Sequence, residues 1–270
     1  MKKKHLVRIN NVAILAAIVL MASNATVKAE DGPAGEARVF KNANEATMPY
    51  RLFVPSELKV NQKYPLVLCF HGASGRGIDN KARGTLAYNV LTSPAMQQKH
   101  PAFIIAPQCP TGKRWVNHHW GDGAYDSREI AISDEMSLAL AIVDKVIEDY
   151  PVDRARVYVT GRSMGGFATW DAIARRPDFF AAAVPIAGGG DPACAPKWVN
   201  LPIWAVASAG DRICPVSGTR DVVTALKKLG ANVKYTEDPT KGHGPICNAW
   251  KDVKGLDDWL FEQRNTKHTL

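Results

Sequence analysis

Three observations predict an α/β domain built on a mostly parallel sheet. Eight short apolar runs bounded by turn residues (37–40, 50–54, 66–70, 102–106, 156–160, 182–186, 203–207 and 233–236) alternate with longer helical patterns as far as the C-terminus. Several of these runs are continuous Val, Ile and Leu, the composition of strands covered on both faces. Finally, 270 residues with 46% hydrophobic and 22% charged side chains can bury a full core, and they exclude disordered, collagen-like and coiled-coil chains. The chain needs neither a disulfide framework nor a structural metal to fold.

Residues 1–29 precede this pattern. Lys2, Lys3, Lys4 and Arg8 open a basic segment, and an apolar run from Val12 to Met21 follows. That is the length of a secretory signal and about half of what a bilayer span requires. Val27 and Ala29 favour a cut after Ala29, and Ser23 and Ala25 offer another after Ala25. The expected domains are therefore a signal peptide, 1–29, and one domain, 30–270, in a secreted or periplasmic protein. Removing Lys28 and the four bases above takes Lys plus Arg from 34 to 29 against 26 Asp plus Glu. So small an excess predicts no nucleic-acid partner, and no membrane partner after cleavage.

Within the domain, Met136, Leu140, Val143 and Ile147 form one helical stripe ahead of Pro151. Val222, Val223, Leu226 and Leu229 form another, with Gly230 placed to end it. Trp259 and Leu260 mark a last helix. Between the run 156–160 and a helical pattern over 167–175 stands Gly161-Arg162-Ser163-Met164-Gly165. A strand-to-helix reversal this tight pushes the Ser163 hydroxyl outward and leaves room only for glycine beside it.

A nucleophilic Ser163 needs a base and an orienting acid later in the chain. His243, in Lys-Gly-His-Gly, is the base expected, since His268 lies at a fraying end. Asp211, just after the run 203–207, is the acid expected, with Asp191 the alternative. The Met164 N–H and the Ala73 N–H, the latter in the turn His71-Gly72-Ala73, are the expected oxyanion donors. His71 precedes the nucleophile and is read as structural. Trp115, His118, His119 and Trp120 belong to an aromatic loop expected to line a substrate groove. Adjacent histidines point apart and no Cys or acid cluster accompanies them, so no metal is expected. No phosphate-binding loop is present and no cofactor is expected. Trp198, Trp204 and Trp250 are read as core residues.

His71-Gly72, the segment 161–166, Asp211 with Pro215, and Gly242-His243 resemble the α/β-hydrolase superfamily. More narrowly, 64–77, 106–110 and 163–190 resemble bacterial secreted esterases of a predicted-peptidase group, related to dienelactone-hydrolase-like proteins, polyhydroxybutyrate depolymerases and feruloyl esterases. The resemblance spans most of 36–263. It implies the α/β-hydrolase fold, a Ser163, Asp211, His243 triad and hydrolysis of a small-molecule or polymer-linked ester. One departure is Ala207-Ser208, where such proteins commonly carry His-Gly. The rival readings are a peptidase of prolyl-oligopeptidase type, whose gating domain this length does not accommodate, and a non-catalytic binder of cell wall or polyester.

If the acid and base loops converge, Cys214 and Cys247 come within bridging distance, and a disulfide between them is expected in an oxidising compartment. Cys69 is read as a small core hydrophobe, which leaves Cys109 and Cys194 free or paired.

Overall fold

The computed structural model describes residues 35–81 and 86–268. The segment 1–29, read as a signal, lies outside the described residues. Eight strands form one sheet: β1 (Glu36–Lys41), β2 (Thr47–Phe53), β3 (Tyr64–Phe70), β4 (Phe103–Pro107), β5 (Val152–Arg162), β6 (Ala182–Ile186), β7 (Trp204–Ser208) and β8 (Lys234–Asp238), in the order β1-β2-β4-β3-β5-β6-β7-β8. The pairs β1/β2 and β2/β4 are antiparallel and the remaining pairs are parallel. Every expected strand is present, displaced by a few residues at its ends.

The helices are α1 (Leu86–Leu91), α2 (Pro94–Lys99), α3 (Asp134–Asp149), α4 (Met164–Arg175), α5 (Ser217–Lys228), α6 (His243–Ile246), α7 (Ala249–Asp252) and α8 (Leu256–Glu262). The two-residue period of the strands divides the core in two. Leu66, Leu68 and Phe70 of β3 pack with the apolar stripes of α3, α4 and α5. Val67 and Cys69 point the other way and pack with α1, α7 and α8. Ser133 caps α3 by accepting the Met136 N–H (3.0 Å), with Asp134 and Glu135 in its positive first turn. Gly230, at φ 76°, follows α5 as its stripe predicts. The helices α1, α2, α6 and α7 have four to six residues each, too few turns for a periodicity to register.

Candidate active site

The central strand β5 runs directly into α4 through Ser163, which sits at φ 57° and ψ −125°. A side chain in that conformation is strained by about 1–3 kcal/mol. Its neighbours hold it there: the Ser163 N–H donates to the Ile186 carbonyl of β6 (2.9 Å), and its own carbonyl accepts the Gly166 N–H (2.7 Å). Both flanking glycines are required sterically. A Cβ on Gly161 would lie 2.3 Å from the Gly165 carbonyl oxygen, and one on Gly165 would lie 2.3 Å from that of Phe70.

The end of β7 supplies the acid loop. Asp211 is buried, and its Oδ1 accepts the N–H groups of Ile213 and Cys214 (both 2.9 Å). Its Oδ2 lies 2.7 Å from His243 Nδ1. A carboxylate only accepts, so Nδ1 carries the proton and Nε2 presents its lone pair. That Nε2 is 2.8 Å from Ser163 Oγ. The sequence suggests a flexible loop around His243, but the residue begins α6, with Gly242 as its N-cap. Ser208, at the departure from the family pattern, ties this loop down: its one hydroxyl proton is within reach of two carbonyls, those of Asp238 (2.9 Å) and Lys241 (2.5 Å), and is donated to either. Asp191, the alternative acid, is not part of this chain. It accepts from Ser127 and Ala193 and caps a 3-10 turn, Pro192–Trp198.

The turn after β3 faces Ser163 from the other side. Its His71 is fully buried, and Nε2 accepts the Cys109 N–H (2.9 Å). Nδ1 therefore carries the proton and donates to the Gly72 carbonyl (2.7 Å), the carbonyl of the peptide whose N–H is that of Ala73. Burial pulls the imidazole pKa down to about 4, which keeps it neutral. The Arg76 Nε donates to the next carbonyl, Ala73 O (3.0 Å). The Met164 N–H belongs to the first turn of α4, where no helix carbonyl serves it.

A cleft of about 230 Å³ opens above Ser163, lined by Gly72, Ala73, Trp120, Arg162, Ile213 and His243 among others. Of the aromatic loop, Trp120 reaches it. Trp115 requires correction as a groove residue. It is fully buried against Phe70 and His71, and its indole N–H donates to the His71 carbonyl (3.1 Å). Trp115 and the adjacent Val116 are both buried while Asn117 and His119 are exposed, so no regular period marks the inward residues of Arg114–Trp120. His118 packs on Tyr125 and Phe167, and exposed His119 accepts the Gly121 N–H and stacks on Trp120. Neither lines the cleft. Sequence reasoning passed over Ile213, an exposed apolar side chain two residues after Asp211; its place next to the expected acid is the signal that could have found it. Trp198 and Trp250 are buried as expected, and Trp204 is half-buried.

The expected disulfide is also corrected, because all five cysteines are free thiols and all are buried. The two loops do converge, but the His243–Asp211 bond joins them. The thiols of both cysteines lie beside His243: Cys247 Sγ is 3.9 Å from His243 Nε2, and Cys214 Sγ is within 4.8 Å of a ligand atom of Asp211 and of His243.

Comparison with known proteins fits this geometry. The Prolyl oligopeptidase family matches over residues 111–193, which include Ser163 but neither Asp211 nor His243. The poly(3-hydroxyalkanoate) depolymerase C of Paucimonas lemoignei is 31% identical over 137 residues, 50% of this chain and 30% of that protein. A thermostable esterase of known structure superposes with a TM-score of 0.78 at 34% identity, over 85% of this chain and 63% of that one. The chain thus spans less than two thirds of either relative. A ferulic acid esterase has the same fold at 14% identity (TM-score 0.61, 84% of this chain and 98% of that one). The sheet order, the strained serine between β5 and α4 and the likeness to the thermostable esterase structure make the chain a member of the α/β-hydrolase superfamily.

Proposed function

We propose that the protein is a serine esterase that forms an acyl-enzyme on Ser163. The observation that carries this is the continuous chain from buried Asp211 through His243 to Ser163 Oγ, at 2.7 and 2.8 Å. His243 Nε2 takes the hydroxyl proton as Ser163 attacks the carbonyl carbon, then returns it to the departing alcohol. Asp211 holds the ring in its tautomer and stabilises the imidazolium that forms. The N–H groups of Ala73 and Met164 receive the negative charge on the tetrahedral oxygen. Water repeats the sequence on the acyl-enzyme and frees the acid. No cofactor enters.

The cleft between Trp120 and Ile213 suits an apolar or aromatic acyl group. The esterase and polyester-depolymerase relatives favour an ester, either a small molecule or one linked to a polymer. The basic residues 2–8 and the apolar run after them support export, to the exterior or the periplasm. The match to the Prolyl oligopeptidase family favours a second reading, an amide-cleaving enzyme with the same residues.

The test is labelling by a fluorophosphonate probe together with turnover of paired ester and amide substrates bearing one acyl group. Wild type should label and prefer the ester, and Ser163→Ala should do neither. Faster cleavage of the amide would establish the second reading. A folded wild-type protein that does not label would overturn both in favour of a non-catalytic binder.

A further inference from the structure

The cleft above Ser163 is charged in one sense. No Asp or Glu stands among the described residues that line it, and Arg162 supplies a cation. At its rim two further guanidinium groups lean on Trp120, Arg114 at 5.0 Å and Arg76 at 5.9 Å from the ring centroid. Arg76 is tied to the cleft a second time, through the carbonyl of Ala73 (3.0 Å). The other hydrogen bonds of this pair also go to carbonyls, from Arg76 to Lys113 (3.5 Å) and from Arg114 to His118 (3.4 Å). Neither is paired with a carboxylate among the described residues. The acids of the neighbouring loops are engaged elsewhere: Asp122 faces His119 (3.7 Å), Glu135 faces Lys113 (3.8 Å) and Asp211 faces His243 (2.7 Å). We propose, on the esterase reading above, that the preferred substrates are monoesters of dicarboxylic acids, whose free carboxylate is bound by Arg76 and Arg114 at the outer end of the acyl group.

Two like charges gathered on one indole without a counter-ion repel each other. Both side chains are half-buried, so water screens them less than it screens fully exposed groups. An arriving carboxylate relieves that repulsion and gains charge-assisted hydrogen bonds. Each guanidinium has five N–H donors, of which Arg76 uses two on carbonyls and Arg114 one among the described residues. The remaining donors suit the two oxygens of a carboxylate.

Placement on the acyl side follows from Trp120, the wall assigned to the acyl group. The body of that group contacts the indole and Ile213 while its charged end meets the guanidinium pair. Arg162, and exposed Arg212 next to Ile213, add positive potential that draws an anion toward the cleft. An acyl group ending in an ammonium would meet only like charge, and one ending in a neutral amide would leave the pair without its counter-ion.

The experiment measures, by calorimetry on the wild-type protein, binding of three ketones that mimic an adipate monoester and differ only in the terminal group: carboxylate, carboxamide or ammonium. A ketone has no ester bond to cleave, so the readout does not depend on turnover. The carboxylate should bind about tenfold or more tighter than the carboxamide, with the ammonium weakest, and the preference should shrink in high salt. Arg114→Met keeps the aliphatic stem against Trp120 and should lose most of the preference. Arg114→Lys should retain part of it, because the charge stays and the fork is gone. Equal binding of carboxylate and carboxamide by wild type would overturn the proposal without any variant, as would a preference that survives Arg76→Met and Arg114→Met together. A larger preference with the carboxylate moved to the alcohol side would overturn its placement on the acyl group. The kcat/KM values of the matching 4-nitrophenyl esters should follow the order of the ketones. If the ketones show the preference and no ester is turned over, the carboxylate site stands and the esterase reading fails.

Discussion

Two loops meet above Ser163 and are held in opposite ways. The turn after β3 is fixed from within: buried His71 bonds the Gly72 carbonyl and the Cys109 N–H, and its own carbonyl receives Trp115. The segment that carries Trp120 is held from outside, by the guanidinium groups of Arg76 and Arg114 at 5.9 and 5.0 Å over the indole and by the stacked His119 ring. The groups assigned to bond-making are thus oriented by backbone and buried polar contacts. The cleft wall at Trp120 rests on side-chain stacking. Changes on the first side should damage chemistry or folding, and changes on the second should alter substrate preference alone.

The largest effect expected is at the elbow. Ser163→Ala should lower kcat by about 10³-fold or more with thermal unfolding unchanged, and His243→Ala should be comparable. Asp211→Asn should cost less than either. A Ser163→Ala variant retaining a tenth of wild-type kcat would break the comparison at its strongest point.

Next is the pair of tryptophans, which share one loop and differ in burial. Trp115→Ala should destabilise the fold by about 3–5 kcal/mol in urea denaturation. A loss below about 1 kcal/mol would mean that this indole does not anchor the turn.

His71 sharpens the contrast through pH. Its folded pKa, about 4, lies below the ordinary 6.5, so between those values the unfolded chain binds the extra proton. Its contribution is therefore fully present above pH 6.5 and is lost as pH falls toward 4, by roughly 3 kcal/mol. Urea midpoints across that window should fall in wild type and flatten in His71→Asn, once the overall loss of stability is set aside. Equal slopes in the two proteins would show that another group is responsible.

The smallest effect is expected at the wall. Trp120→Ala should leave the urea midpoint in place and raise KM for aromatic or long acyl esters by about tenfold, in line with the loss of one apolar contact. An equal effect on acetyl and aromatic esters would remove Trp120 from substrate recognition.

Much of this was legible in the chain because it rests on local rules. Continuous apolar runs marked the strands β3, β4 and β6, buried on both faces. The stripe from Met136 to Ile147 marked α3, and glycines on both sides of Ser163 marked the elbow, where a Cβ has no room. The short helices escaped because four to six residues cannot display a 3.6-residue period. The place of Trp115 escaped because a loop has no period at all, so nothing in its own sequence distinguishes an inward indole from an outward one.

The sequence by itself determined the sheet, its longer covering helices α3, α4 and α5 and the residue at the turn from β5 to α4, since periodicity and glycine sterics act over a few residues. Only the tertiary structure decided which acid faces His243, which tryptophan of the aromatic loop reaches the cleft, and that Cys214 and Cys247 stand beside His243 as free thiols. Those choices depend on where loops at the ends of β3, β5 and β7 come to rest against one another, and side chains tens of residues apart in the chain meet only after the sheet has set its strand order.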